Sequence, residues 1–309
     1  MALGMFEELE KAGKIKTFSQ KDHNSPEYAM HLLYHPFADR HHHRYLHALI
    51  EVLRLAFSDG TWFITDPSTS KVPVPSLLSS SYLSKRASKF DPSSTIQDIK
   101  HGSPALSSSD TVYFSVTDPE GNAASFINSN YGGFGTGIIP KGCGFTLQNR
   151  GANFTLSPDD HPNILAPNKR PYHTIIPAMV TNQSDGSLHT CYGVMGGFMQ
   201  PQGHVQVLLN MLVFGLDPQS ALDAPRICIE ATGPKGESVA AVDEVYIEEG
   251  IPKATIEALR KLGHNAFQLT GFDRGMFGRG QVIRRSVEDG VTVWSAGSDM
   301  RGDGHASPL

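Results

Sequence analysis

The feature that most constrains this chain is a change of pattern at residue 111. A solvated Ser-Ser-Ser-Asp run (107–110) gives way at Thr111 to TVYFSVTD, then Pro119-Glu120-Gly121, then NAASFINSN. Two short runs rich in β-branched and aromatic residues around a Pro/Gly turn predict a hairpin. Strand candidates then recur to the C-terminus: GFTLQN (144–149), TIIPAMVTN (174–182), SLHTCYGVMG (187–196), AVDEVYIEE (241–249), QVIRRSV (281–287) and VTVWSAG (291–297). Asp185-Gly186 and Asp289-Gly290 supply turn pairs between neighbours. Helical periodicity interrupts them at 201–216, with Pro201 at its start, and at 252–264. Strands with helices laid on them predict an α+β layered sandwich.

Residues 1–90 read differently. RYLHALIEVLRLAFSDG sets Leu46, Leu49, Ile50, Leu53 and Phe57 on one face, which predicts a helix ending at Gly60. A weaker amphipathic stretch follows at 74–90. Residues 91–110 are rich in Ser, Pro and Asp with little periodicity, as in a flexible linker. The expected division is therefore a mostly helical 1–90, a linker over 91–110, and a strand-rich 111–309.

With 18% charged residues and a net charge of −5, the chain has no basic excess, so no nucleic-acid partner is expected. No apolar run approaches the roughly 20 residues needed to span a bilayer, so no membrane partner is expected either. The N-terminus mixes Glu and Lys at helical spacing, unlike a leader peptide. Cys143, Cys191 and Cys228 are too few and too widely spaced for a disulfide scaffold or a cysteine zinc site. A reducing, cytoplasmic location is the expectation. The sequons at Asn153 and Asn182 are then chance matches.

A hydroxyl is a poor nucleophile unless a base lies beside it. If a threonine becomes the first residue of a chain, its own α-amino group, with a pKa near 8, can be that base. A flexible arm ending at a strand-initiating Thr is the layout such self-cleavage needs. A second element is GVMGGFMQPQGH (193–204), where a strand runs through Gly196-Gly197 into a helix. Backbone N–H pairs near a helix start suit a developing oxyanion.

The blocks DTVYFSVTDPEGNAASFINSN, FGTGII, GFTLQNRGANF, APNKRPYHTIIPAM, GVMGGFMQPQGH, DAPRICIE and AGSDMRGDGHAS occur in the order and spacing of the γ-glutamyltranspeptidase family. The chain resembles most its glutathione hydrolase-like and acylase-like branch. The resemblance covers 111–309 and extends upstream through ALGMFEELEKAGKI, YLHALIEVLRLAFSDG and VPVPSLLSSSYLSKRA. It implies an N-terminal nucleophile hydrolase with a four-layer αββα sandwich, made as one chain and self-cut into fragments that stay associated. Thr111 matches the nucleophile, and Asp110–Thr111 the processed bond. Ser129 falls at the supporting hydroxyl, Gly196 and Gly197 at the oxyanion hole, and Tyr131 among the substrate-binding positions. The implied reaction is acyl transfer from a small-molecule amide, without metal or cofactor.

Substrate recognition departs from the family pattern. In QNRGANF, Arg150 and Asn153 stand where the family carries Glu/Gln and Asp, and in KRPYHT, His173 and Thr174 replace paired serines. Exchanging acidic groups for an arginine removes the counter-charge for an ammonium and adds a carboxylate site. An acyl group bearing a carboxylate is therefore expected, with glutathione-like amides as the family default. The chain also reads as incomplete at the N-terminus relative to the family, which would leave sheet faces uncovered. A second reading follows from this: an inactive fragment serving as a structural or binding subunit. His35, His41, His42, His43 and His47 invite a zinc reading, yet three adjacent histidines cannot enter one tetrahedral site, so no metal is expected. Arg-Gly-Asp at 301–303 lies inside the family-like terminus and is not read as an adhesion motif.

Overall fold

A computed structural model describes residues 1–17, 39–97, 99, 111–229 and 244–308, with the backbone alone at 39–42. Of the linker expected at 91–110, residues 98 and 100–110, Asp110 among them, lie outside the described residues, as do His35 and the side chains of His41 and His42. The helices are α1 (Ala2–Lys11), α2 (Asp39–Phe63), α3 (Val74–Leu77), α4 (Ser80–Ala87), α5 (Met199–Leu212), α6 (Pro218–Asp223) and α7 (Lys253–Lys261). The strands are β1 (Val112–Thr117), β2 (Ala123–Asn128), β3 (Ala178–Thr181), β4 (Leu188–Met195), β5 (Ile227–Ile229), β6 (Glu244–Glu248), β7 (Asn265–Leu269), β8 (Arg279–Glu288) and β9 (Val291–Ser298). The α+β expectation is met. Among the described residues no helix is long and apolar enough to cross a membrane.

The chain folds as two compact units. Unit 1 comprises Met1–Leu106, Arg150–His173 and Ile229–Leu269; unit 2 comprises Ser107–Asn149, Thr174–Cys228 and Thr270–Leu309. In unit 1, α2 buries Leu46, Leu49, Ile50 and Leu53 of the face read from its periodicity, while Phe57 is half-buried. The helix does not stop at Gly60. The Ile64 N–H still reaches the Gly60 carbonyl (3.0 Å) and Thr61 Oγ1 donates back to the Phe57 carbonyl (2.9 Å), so the α ladder runs on to Phe63. Strands β6 and β7 pair in parallel, Glu244 opposite Asn265, because α7 is the crossover between them.

In unit 2, β3, β4, β8 and β9 form an antiparallel sheet, and β1 and β2 form a separate hairpin. The sheet presents two faces by strict alternation. On one face Gly193 lies against Tyr113 of the hairpin: a Cβ there would come within 2.5 Å of the Tyr113 ring. On the other, Val194 meets Gly203 of α5, where an added Cβ would lie 2.6 Å away, and Leu222 of α6 packs on Gly280. Hairpin, sheet and helices thus make three successive layers. The hairpin's outer face carries exposed Val112, Phe114, Val116 and Phe126, with the two phenylalanine rings stacked at 5.0 Å.

Two strand expectations need correction. Residues 144–149 form no strand. Leu147 is drawn into a loop, its carbonyl accepting from Thr136 N–H (2.8 Å) and its N–H donating to the Ile138 carbonyl (2.9 Å). Gly135 makes that approach possible, since its φ is +63° and any Cβ would strike the Leu147 carbonyl. The strand read at 174–182 contracts to Ala178–Thr181. Pro177 lacks a ladder donor, and the buried Gln200 side chain takes the preceding backbone, accepting from Ile176 N–H (2.9 Å) and donating to the Thr174 carbonyl (2.8 Å).

Candidate active site

Thr111 is 2% exposed and sits one residue before β1, so the hairpin fixes its position. The register runs from Val112 opposite Asn128 to Thr117 opposite Ala123. Thr111 and Ser129 are the residues that flank the Val112–Asn128 pair of that register. Ser129 Oγ accepts the Tyr131 N–H at 2.8 Å. Tyr131 itself is buried at φ +78°, a backbone region that bulky residues seldom adopt and that is usually held by surrounding structure. Here the holding contacts are visible: Gly132 N–H donates to Asn149 Oδ1 (3.0 Å) and Asn149 N–H to the Asn130 carbonyl (3.1 Å).

Gly196 and Gly197 follow β4 with φ of +120° and +59°. Their carbonyls accept from Met199 N–H (3.0 Å) and Gln200 N–H (3.1 Å), opening the first turn of α5. Among the described residues neither glycine N–H enters a backbone hydrogen bond, leaving two donors at a helix start. Only glycine fits at 196, where a Cβ would lie 3.0 Å from Gly278 Cα in a conformation disfavoured for other residues. Thr174 is held beside this turn by Gln200, the second residue of α5.

Thr111 lines a cavity of about 300 Å³ together with Met195, Arg279, Gln281, Ser298 and Asp303, all from unit 2. Arg150 and Asn153 belong to unit 1, in a 3-10 turn whose Asn153 carbonyl accepts from Asn163 Nδ2 (2.7 Å). His173, exposed, ends the same segment of unit 1. Thr111, Ser129, Tyr131, Thr174 and the glycine pair thus belong to unit 2, and Arg150, Asn153 and His173 to unit 1; of these expected site residues, Thr111 lines the cavity.

A buried ion cluster beside the cavity was not legible in the sequence. Arg226 Nη2 donates to Asp299 Oδ2 at 2.6 Å, Gly280 N–H reaches the same oxygen at 2.9 Å, and Arg301 Nη1 donates to Oδ1 at 2.9 Å. Burial pushes the Asp299 carboxyl upward, but the two guanidinium charges outweigh it and hold the group below its ordinary value. DAPRICIE and AGSDMRGDGHAS are thus two halves of one contact. With its side chain 3% exposed, Arg301 cannot present the Arg-Gly-Asp triplet for adhesion.

In unit 1, His47, Glu51 and His264 place ligand-type atoms within 4.8 Å of one another. Hydrogen bonding already engages all three. His47 Nδ1 meets His264 Nε2 (2.6 Å), His47 Nε2 meets the Asp91 carbonyl (2.8 Å), and Glu51 accepts from Ile96 N–H (2.7 Å) and Arg54 (2.8 Å). One tautomer satisfies the relay: His264 donates to His47, which donates to Asp91. Burial first, then the charges of His47 and Arg54, push His264 down to about 3, so the pair is neutral at pH 7.

Residues 11–309 match the model of the gamma-glutamyltranspeptidase family. The chain belongs to the γ-glutamyltranspeptidase family. Among curated relatives, the glutathione hydrolase-like YwrD proenzyme of Bacillus subtilis is 34% identical over 265 residues, covering 85% of this chain and 47% of that protein. The oxamate amidohydrolase proenzyme of Klebsiella pneumoniae is 34% identical, covering 77% of this chain and 43% of that protein. Among solved structures, the cephalosporin acylase from Bacillus halodurans superposes with a TM-score of 0.69 at 40% identity, over 84% of this chain and 44% of that one. This γ-glutamyltranspeptidase-family chain spans about half the length of the curated relatives it matches. Its fold is that of the N-terminal nucleophile hydrolases of this family.

Proposed function

We propose that this chain is an N-terminal threonine amidohydrolase that cuts itself at Asp110–Thr111 and then works through an acyl-enzyme. The observation that carries the reading is Thr111, buried at the mouth of β1 and lining a cavity together with Met195, the residue that precedes Gly196. Cleavage frees the Thr111 α-amine, whose reference pKa near 8 lets a useful fraction act as base at neutral pH. The amine takes the Oγ proton as Oγ bonds to the amide carbonyl carbon. The Gly196 and Gly197 N–H groups receive the oxyanion. Collapse breaks the C–N bond, the proton passes to the leaving amine, and water or another amine releases the acyl group. Ser129 steadies the amine and hydroxyl.

The substrate in this reading is a small glutathione-like or other carboxylate-bearing amide, with Arg150, Asn153, His173, Thr174 and Tyr131 as binding positions. One relative is named a glutathione hydrolase-like proenzyme and another an oxamate amidohydrolase proenzyme, and both glutathione and oxamate are carboxylate-bearing amides. The fragments on either side of the cut stay associated, and the setting is cytoplasmic. Gel electrophoresis of the purified chain beside Thr111→Ala tests the first step. Wild type is expected to yield a fragment starting at Thr111 while the variant stays whole; two uncut chains would leave the inert-subunit reading instead.

A further inference from the structure

We propose that Arg279, Gln281 and Ser298 form a binding subsite for a terminal carboxylate on the acyl group, built entirely within unit 2. The proposal deepens the reading of Thr111 as nucleophile and rests on it for its catalytic meaning. The register places the three side chains on one face of the sheet. Met195, the residue before the glycine pair, is directly opposite Arg279, and Gln281 is directly opposite Ser298. Arg279 and Gln281, two apart on one strand, share the face that carries Gly193 and so look toward the hairpin that Thr111 begins. All three line the Thr111 cavity.

What distinguishes these groups is that their polar ends are unused. Ser298 Oγ is buried with no hydrogen-bond partner, although the Ser298 backbone is tied to Gln219 on both sides. Among the described residues neither the Arg279 guanidinium nor the Gln281 carboxamide has an assigned partner. A buried unpaired hydroxyl is costly and asks for a ligand or water. Glycines keep the space open. A Cβ at Gly304 would fall 2.7 Å from Ser298 Oγ and against Gln281 Nε2, and one at Gly302 would fall 2.8 Å from Arg279 Cδ. The chain therefore leaves a hollow where a hydroxyl and an amide converge, with a guanidinium stem laid alongside.

These donors suit a carboxylate: a guanidinium for two oxygens, with hydroxyl and amide N–H for the remaining lone pairs. Asp299 is already neutralised by Arg226 and Arg301. The cavity lining offers one guanidinium, Arg279, beside exposed Asp303, so the site fits a singly charged group and not a phosphate. A volume of about 300 Å³ accommodates a short dicarboxylic acyl chain reaching from Thr111 to Arg279.

The test uses the full chain and two readouts. Glutarate binding is measured by calorimetry, and hydrolysis is compared for glutaric acid mono-p-nitroanilide, which keeps a free terminal carboxylate, and for its isosteric terminal carboxamide. Wild type should bind glutarate and favour the carboxylate substrate by about tenfold or more in kcat/KM. Arg279→Gln should abolish glutarate binding and bring the ratio to about one, Arg279→Lys should fall between, and Ser298→Ala should weaken glutarate binding several-fold. Turnover of both anilides with no preference, or glutarate binding and a ratio unchanged in Arg279→Gln, overturns the subsite while leaving the nucleophile intact. Glutarate binding lost in Arg279→Gln, with neither anilide cleaved, upholds the subsite and defeats the amidohydrolase reading.

Discussion

At the scale of single residues, the site depends on groups whose chemistry is set by what surrounds them. That a strand opens directly after Thr111 was legible from the change of pattern there, and that a helix follows the glycine pair from the apolar periodicity beyond it. Asp299 was not: alone, an Asp before a Met and an Arg looks like a surface turn. Its meaning comes from Arg226, more than seventy residues away in sequence, with 0% of its side chain exposed. Removing one partner of such a pair strands the others without solvent. Asp299→Ala should therefore cost about 3–5 kcal/mol, read as a lowered urea midpoint with little change in slope. An effect below about 1 kcal/mol, the range of surface pairs, would contradict the buried-cluster account.

At the scale of elements, the hairpin does two jobs: it positions Thr111 and it covers the sheet. Both hairpin strands and their turn were legible from alternation and Pro119-Glu120-Gly121. Which hairpin face is buried was not, since both carry aromatics. Gly193 decides it, by giving the Tyr113 ring room on the sheet. Tyr113 O–H then meets Ser125 Oγ at 2.8 Å. Gly193→Val should force Tyr113 out, costing about 1–3 kcal/mol by overpacking and lowering turnover by displacing Thr111, two residues upstream. A variant as stable and active as wild type would show that the hairpin is not seated on Gly193. The false strand at 144–149 has the same origin as this success: alternation was real there, but positive-φ glycines around it closed a loop first. β7 escaped notice because Asn265 and Gln268 dilute its apolar run; its pairing is fixed by the α7 crossover.

At the scale of the whole molecule, buried histidines set the acid limit. His264 is pushed down to about 3 and His204, in unit 2, to about 4, both chiefly by burial; His47 is lowered for the same first reason. His204 Nε2 accepts the Val194 N–H at 3.0 Å, a role open only to the neutral ring. The unfolded chain takes up these protons near the ordinary histidine value of 6.5 while the folded chain refuses them. Stability is therefore full above that value and falls as pH drops below it toward the folded values. The thermal midpoint should decline steadily from pH 6.5 to 4, and His264→Gln should flatten part of that slope. A midpoint flat across this range would contradict neutral burial of the pair. Family and α+β class were legible from motif order and strand spacing, whereas the two-unit division was not. It joins segments distant in the chain, and no local pattern announces that.

The most direct test of the central claim asks which atom carries the acyl group. The full chain is incubated with glutaric acid mono-p-nitroanilide, quenched in acid, and mapped by mass spectrometry. The account predicts a glutaryl group on the peptide whose first residue is Thr111, absent in Thr111→Ala. A cleaved, active chain carrying the acyl group on any other residue would contradict it.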